Sequence, residues 1–213
     1  MRYNGERCQH GHTIDTHPNC FLKSGKPRLG WFTDYRLGFL DIETTNLKAN
    51  IGIILSWYIK SSDGNYEKYV LSRKEIVNKN IEDKNAVKAL CKALKNYDMI
   101  VGYYSKRFDI PFIRTRAIKH GIDFPVYNEL YHLDLYDVVK RKMKLNSNRL
   151  ATATHFLGID GKTPLEWEDW RYASWGDKTA LQEVGKHNKG DVDILERLFE
   201  LLKPHIRFTR SSI

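Results

Sequence analysis

An apolar run that carries two acids, Phe39-Leu40-Asp41-Ile42-Glu43, constrains the fold of this chain more than any other feature. Side chains alternate between the faces of a β-strand, so we expect Asp41 and Glu43 on one face, and Leu40 and Ile42 on the other. Neighbouring carboxylates repel one another and are costly to desolvate unless cations neutralise them. Mg²⁺ and Mn²⁺ prefer hard oxygen ligands and suit such a pair. Taken alone, the pair is more simply explained as two solvated acids at a strand end. The remaining sequence has to decide between this explanation and a metal site.

Length and composition limit the classes of protein that this chain fits. With 213 residues and 41% hydrophobic residues, it is long enough for one large domain with a small appendage. No apolar stretch approaches the roughly 20 residues of a membrane helix, and the first residues lack the apolar core of a signal peptide. The three cysteines do not form a disulfide framework. We therefore expect a cytoplasmic protein without a membrane partner, and a prokaryotic or viral origin is compatible with this expectation.

The charge balance indicates the kind of partner. The formal net charge is +9, which favours a polyanion, and nucleic acid is favoured over a membrane surface.

Hydrophobic periodicity divides the chain near residue 35 and predicts alternating strands and helices after it. The strand-like segments are residues 36–43, 51–60, 66–71, 99–103 and 131–135. The helix-like segments are residues 85–96, 109–120, 147–156 and 178–203, with a Lys- and Arg-rich helix after residue 135. Ser147 is the predicted N-cap of its helix, Gly121 and Gly158 are predicted stops, and breaks at Gly185 or Gly190 stay open. Three consecutive strands followed by alternating elements predict a mixed α/β sheet with helices on its faces.

Further acids belong with the first pair. Asp109 begins a predicted helix, where its simplest role is to cap that helix. His187 and Asp191 are four residues apart, so both side chains lie on one helix face. Asp134 lies between leucines in the fifth predicted strand, which favours a buried polar role close to a site.

These segments resemble the motifs of the DEDD superfamily of exonucleases, in the branch related to the exonuclease domain of family-B DNA polymerases. FLDIETT is similar to its first motif, GYYSKRFDIPFIRTRA to the second and HNKGDV to the third. SNRLATATHFLGI is similar to the helix between the second and third motifs, and the resemblance covers residues 36–203. It implies an RNase H-like fold in which three antiparallel strands and then parallel strands form a five-stranded sheet flanked by helices. Residues 36–213 would be this domain, and residues 1–35 a small separate element.

The resemblance also implies a chemistry. Asp41, Glu43, Asp109 and Asp191 would hold two Mg²⁺ or Mn²⁺ ions, and His187 would orient or deprotonate the attacking water. The implied reaction is 3′→5′ exonucleolytic hydrolysis that releases nucleoside 5′-monophosphates, with DNA favoured over RNA. Alternatives are an RNA-trimming nuclease, a nuclease of the other polarity, or a non-catalytic nucleic-acid-binding module on the same fold.

Two positions depart from the pattern of that branch. Tyr104 stands where Asn is usual, five residues before Asp109. His187 stands where Tyr is usual, four residues before Asp191, whereas a sister branch uses His one residue further from its aspartate. An imidazole has an ordinary pKa of about 6.5, so it can accept a proton from water near neutral pH.

Cysteine and histidine are concentrated near the amino terminus, in the segment CQHGHTIDTHPNC. Cys8, His12, His17 and Cys20 have spacings that suit a tetrahedral structural Zn²⁺, and His10 competes for either histidine position. The alternative is a polar segment with incidental histidines.

Basic and aromatic residues beside the acids predict where nucleic acid binds. We expect contacts from Tyr104, Lys106, Arg107 and Arg149, because cations attract the phosphate backbone and an aromatic ring can stack on a base. The expected partner is single-stranded or frayed DNA, with RNA as the alternative. A polymerase or another replication protein acting in trans is the protein partner that the resemblance implies.

Overall fold

The computed structural model describes Thr13, Thr16 and residues 35–161, 165–206 and 212–213. Within this part of the chain, Leu37–Ile213 belongs to one compact unit. The predicted zinc ligands Cys8, His12, His17 and Cys20, with their competitor His10, lie outside the described residues, so the zinc site and the element 1–35 stay predictions.

Five strands form one mixed sheet, as the sequence predicts. They are β1 (Leu37–Thr44), β2 (Ile54–Ser61), β3 (Tyr66–Val70), β4 (Met99–Gly102) and β5 (Tyr131–Asp134). Their order across the sheet is β3-β2-β1-β4-β5. β1, β2 and β3 pair antiparallel, whereas β4 is parallel to β1 and β5 is parallel to β4. The carboxyl ends of β1, β4 and β5 therefore meet at one edge.

Seven α-helices occur in the described part of the chain. They are α1 (Arg73–Val77), α2 (Lys84–Leu94), α3 (Asp109–His120), α4 (Leu135–Lys142), α5 (Leu150–Phe156), α6 (Trp167–Ser174) and α7 (Lys178–Leu202), and a 3₁₀ turn follows at Lys203–His205. Gly121 ends α3 in the left-handed conformation, with φ of 62°, as predicted. None of these helices combines the length and apolarity that a membrane span requires.

One predicted helix start is wrong, the break that the sequence left open in the last helix is absent, and two short helices were not predicted. The helix predicted from Ser147 begins at Leu150 with Arg149 as N-cap, and Ser147 Oγ instead accepts a hydrogen bond from the backbone N–H of Arg149. α7 runs unbroken through Gly185, where an added Cβ would lie 3.0 Å from Val70 Cγ2. This glycine therefore permits close packing of α7 on β3 rather than a break. α1 and α6 were not predicted, because short helices bury few residues and show little periodicity.

The two faces of the sheet are covered by different helices. Leu40 and Ile42 belong to the buried cluster that includes residues of α2 and α3, and Cys91 of α2 lies in it. On the opposite face, the ring of Phe39 packs edge-on against that of Phe199 in α7, with centroids 5.5 Å apart. Since Asp41 and Glu43 alternate with Leu40 and Ile42, they share the α7 face with Phe39.

A buried ion-pair cluster fixes α3 beside β2. Arg116, 1% exposed, donates to both carboxylate oxygens of the fully buried Asp83, whose Oδ2 also accepts from the backbone N–H of Ile54 at 2.9 Å. Glu82, Asp83 and His120 offer ligand atoms close enough for a metal ion. The guanidinium donates to Glu82 at 2.5 Å as well, so it already supplies the positive charge there, and the cluster is structural.

Candidate active site

β1 delivers the first two acids at its carboxyl end. Asp41 pairs with Tyr58, and Glu43 with Ser56, in the antiparallel register with β2. The register becomes irregular between Glu43 and Thr44. Such irregularities end regular pairing and redirect side chains, and they are frequent beside active sites.

Asp109 reaches β1 from the opposite side of that strand end. It is the first residue of α3 and 3% exposed, and its Oδ1 accepts a hydrogen bond from the backbone N–H of Ile42 at 3.2 Å. The N-cap of α3 is Phe108, so the capping role expected of Asp109 is wrong. Burial, with a further contribution from the charge of Asp134, raises the pKa of Asp109 to about 7 against the lowering effect of its backbone hydrogen bonds.

α7 presents His187 and Asp191 on one face, as their spacing predicts. His187 Nε2 lies 3.5 Å from Asp191 Oδ2 and 3.6 Å from Glu43 Oε1. One ligand atom from each of these three residues lies within 4.8 Å of the others. The imidazole of His187 and the carboxylate of Asp191, both in α7, thus meet the carboxylate of Glu43 at the end of β1, although β1 and α7 are far apart in sequence.

The charges of the other three acids act on Asp41. Its pKa is raised well above the ordinary value, first by burial and then by the charges of Glu43, Asp109 and Asp191. The amide of Asn188 acts in the opposite direction, since Nδ2 donates to Asp41 Oδ2 at 2.5 Å. The structure therefore brings together all five residues for which the sequence predicts a catalytic or metal-binding role at this site: Asp41, Glu43, Asp109, His187 and Asp191.

Two residues beside the acids were missed by the sequence analysis. Asn188 is fully buried and lies next to His187 in the third motif, so its position in the motif was the available signal. Trp170 donates from Nε1 to Glu43 Oε2 at 3.2 Å, and its ring meets that of His187 edge-on, with centroids 5.6 Å apart. It belongs to α6, which the sequence did not predict, and no motif identified it.

The connection after β4 is held in place by buried polar groups. An added Cβ at Gly102 would lie 2.1 Å from Ser105 Oγ, so only glycine allows this close approach. Ser105 Oγ is 2.9 Å from Nε2 of the buried His132. Burial, together with the charge of Lys106, lowers the pKa of His132 to about 4, so this imidazole is neutral near pH 7.

Asp134 organises the same connection from β5. It is buried, as expected, and its two carboxylate oxygens accept from the backbone N–H groups of Tyr104, at 2.8 Å, and Lys106, at 3.0 Å. Oδ1 also caps α4 by accepting from Tyr136 N at 3.0 Å.

The residues predicted to contact nucleic acid lie on or near this connection. Tyr104, Lys106, Arg107 and Arg149 are all exposed. Tyr104 and Arg149 line one cavity of about 420 Å³, and the guanidinium of Arg107 lies over the ring of Tyr104 at 5.6 Å. Tyr104, Arg107 and Arg149 therefore lie at or next to this cavity. Lys106 lies beside them, because its backbone N–H is held by Asp134.

A model of the RNase_H superfamily matches residues 38–203, the region that contains the sheet and all four acids. The chain belongs to the RNase H superfamily. This membership confirms the predicted RNase H-like fold and supports a nuclease-type function.

Comparison with known proteins extends the resemblance to polymerases. The chain is 28% identical over 137 residues to a DNA polymerase of Methanocaldococcus jannaschii, and 24% identical over 148 residues to one of Archaeoglobus fulgidus. These matches cover 53% and 61% of this chain, but only 8% and 19% of the polymerases. The structure of the family B DNA polymerase from Pyrobaculum calidifontis superposes with a TM-score of 0.67 at 21% identity, over 84% of this chain and 25% of the polymerase. The likeness to the polymerase structure shows the fold.

The donor set of this RNase H superfamily chain is compatible with divalent metal ions. Carboxylate oxygens are the ligands that Mg²⁺ and Mn²⁺ prefer, and the pKa of Asp41 is raised first by burial and then by repulsion from the charges of Glu43, Asp109 and Asp191. A bound cation would relieve this repulsion.

Proposed function

We propose that this chain is a metal-dependent 3′→5′ exonuclease that hydrolyses phosphodiester bonds and releases nucleoside 5′-monophosphates. The observation that carries the proposal is the convergence of four acids at the end of β1, where Asp41 experiences the charges of the other three. Membership of the RNase H superfamily supports the same chemistry.

Each acid has a role that its position supports. Asp41 and Glu43 from β1, Asp109 from α3 and Asp191 from α7 would hold two Mg²⁺ or Mn²⁺ ions. The bound ions would supply Lewis acidity and neutralise charge at the scissile phosphate. Asp109 is further fixed by the backbone of Ile42, so its carboxylate is positioned before any ligand binds.

His187 is the proposed proton acceptor for the attacking water. Its Nε2 faces Glu43 and Asp191 at 3.6 and 3.5 Å, so a water close to these oxygens is also within reach of the imidazole. The edge-on ring of Trp170 restricts rotation of the imidazole on one side. His187 therefore has both the chemistry and the fixed orientation that a general base needs.

The proposed substrate is single-stranded or frayed DNA. The matched relatives are named DNA polymerases, which favours DNA over RNA and a replication protein as a partner in trans. The net charge of +9 supports attraction for a nucleic-acid backbone.

The test is digestion of end-labelled single-stranded and duplex DNA and RNA in Mg²⁺ or Mn²⁺. We expect a 5′-labelled strand to shorten stepwise from its 3′ end, and Asp41→Asn to reduce shortening to background. Glu200→Gln is the matched control, since Glu200 is an exposed acid of α7 that pairs with Lys203. This variant should retain full activity.

Four results would contradict the proposal in different ways. Equal shortening by the wild type and Asp41→Asn would show that the activity belongs to a contaminant. Release of mononucleotides from the 5′ end would reverse the polarity. Binding without metal-dependent shortening would leave the non-catalytic module, and digestion of RNA alone would make the chain an RNA-trimming nuclease.

A further inference from the structure

A cavity of about 420 Å³ opens beside the connection between β4 and α3. Three tyrosines, Tyr103, Tyr104 and Tyr136, line it together with residues 147–150. Its volume falls within the roughly 300–1,000 Å³ of sites for small organic groups. The hydroxyl of Tyr103 donates to the backbone carbonyl of Asn148 at 2.6 Å, so the two sides of the cavity are tied together.

The walls of the cavity are aromatic and cationic. The rings of Tyr104 and Tyr136 meet at 80° with centroids 5.0 Å apart, and those of Tyr103 and Tyr136 at 90° and 6.0 Å. The guanidinium of Arg107 lies over Tyr104 and Tyr136, at 5.6 and 5.3 Å from the ring centroids. Arg149 adds a second cation at the rim. A flat π-system that is attached to an anion suits this combination of surfaces.

Tyr104 is held in a conformation that its own backbone disfavours. Its φ is 59°, in the left-handed region that a bulky side chain rarely adopts. The buried carboxylate of Asp134 imposes this conformation by accepting from the backbone N–H groups of Tyr104 and Lys106. Tyr104 is nevertheless 45% exposed, so packing alone does not account for the strain. Strain of this kind is concentrated at binding and catalytic sites.

The cavity lies at the same edge of the sheet as the acids. Phe39 of β1 pairs with Val101 of β4 in parallel register. Two residues further along the chain, Asp41 in β1 and Tyr103, which directly follows β4, therefore emerge at one edge of the sheet. Tyr104 is also five residues before Asp109 on the same connection. A strand whose phosphate lies at the acids can therefore continue towards this cavity.

We propose that the cavity is a base subsite, in which one unstacked nucleobase of the substrate strand stacks against Tyr104 and Tyr136 with its phosphate near Arg149. This inference deepens the proposed function and rests on it. A base inside a duplex is stacked and paired and cannot enter the cavity, so the subsite selects strands with unpaired nucleotides near the end that is cut. Its ligand chemistry, an aromatic base on a phosphodiester backbone, is shared by DNA and RNA.

The test is a set of fluorescent single-stranded oligonucleotides, each with one abasic site at a successive position from the 3′ end. Binding to the full chain is measured by anisotropy in Ca²⁺, with DNA and RNA versions of the set. We expect one position, the same in every repeat, at which the abasic site weakens binding by about 5- to 100-fold. Tyr104→Ala should weaken binding of the intact strand by a similar factor and remove the sensitivity at that position, whereas Tyr104→Phe should retain both. Tyr127→Ala is the control, because Tyr127 is 76% exposed and lies outside the cavity.

The outcomes separate this inference from the proposed function. Equal affinity for every abasic strand would overturn it, and so would Tyr104→Ala weakening all strands equally while the sensitive position persists. Digestion of the intact strand in Mn²⁺ is measured on the same preparation. Digestion without a sensitive position would overturn the base subsite and leave the proposed exonuclease intact. A sensitive position without digestion would overturn the proposed exonuclease and leave a base-binding site.

Discussion

The amide of Asn188 donates a hydrogen bond to Oδ2 of Asp41 at 2.5 Å, across 147 residues of sequence. Asn188 is fully buried in α7, and its Oδ1 lies 3.4 Å from Ser56 Oγ, which donates to it. Because a carboxylate that accepts a hydrogen bond is stabilised in its charged form, Asn188 keeps Asp41 available for a cation.

Asn188→Ala is expected to weaken Mn²⁺ binding by about 10- to 100-fold, as loss of an outer partner of a metal ligand does. Titration calorimetry measures the affinity, and circular dichroism checks that the variant is folded. Ser56→Ala is the matched control, because it removes only the weak contact behind the amide. Unchanged Mn²⁺ affinity in folded Asn188→Ala would contradict the assigned role.

Trp170→Phe is expected to lower kcat by about tenfold, since it removes the hydrogen bond to Glu43 and keeps a ring beside His187. Single-turnover digestion of a labelled strand measures the rate. Trp175→Phe, which changes a 61% exposed tryptophan at the end of the same helix, should leave the rate unchanged. Equal rates for the two variants would show that Trp170 does not position Glu43.

Binding of Mn²⁺ should stabilise the folded chain, because the acids attract the ion only when they are assembled. A free concentration of about one hundred times Kd adds about 2.7 kcal/mol to the free energy of unfolding, which raises Tm by about 5–10 °C for a chain of this size. Asp191→Asn should lose this shift, whereas the exposed Glu200→Gln should retain it. Differential scanning fluorimetry with and without EDTA makes the comparison. An equal shift in both variants would place the metal elsewhere.

His132 should make the chain sensitive to acid. Burial lowers its folded pKa to about 4, below the ordinary 6.5, so the unfolded chain binds a proton that the folded chain refuses between these values. The free energy of unfolding is therefore unaffected by this group above pH 6.5, and falls by about 3 kcal/mol as the pH drops to 4. Urea titrations at several pH values measure the slope. His132→Gln should flatten it and exposed His155→Gln should not, so identical slopes in both would refute the assignment.

The amino-terminal cluster is expected to bind one structural Zn²⁺ per chain. Metal analysis of purified protein should find zinc near stoichiometry, and Cys20→Ala should reduce it. Cys91→Ala is the control, since Cys91 is buried in the core of α2. Protein that contains no zinc and folds normally as Cys20→Ala would remove the prediction.

Local patterns were sufficient for most of the fold. The apolar run through Asp41 and Glu43 predicts β1, and the span from Asp109 to Gly121 predicts α3 with its left-handed cap. These predictions hold because strand alternation, helix periodicity and glycine stops act over a few residues. α6 escaped because an eight-residue helix with one fully buried residue leaves no periodic signal.

The candidate site likewise has features that the sequence determined and features that only the tertiary structure revealed. Sequence alone determined which acids this chain contains, their order, and the i, i+4 relation that places His187 beside Asp191 on one helix face. Only the tertiary structure decided that Asn188 supports Asp41, that Trp170 holds Glu43, and that Asp109 bonds to β1 rather than capping α3. Periodicity fixes the face on which a side chain lies. The partner of a side chain depends on how the sheet and helices pack, which here joins residues 67 to 147 positions apart.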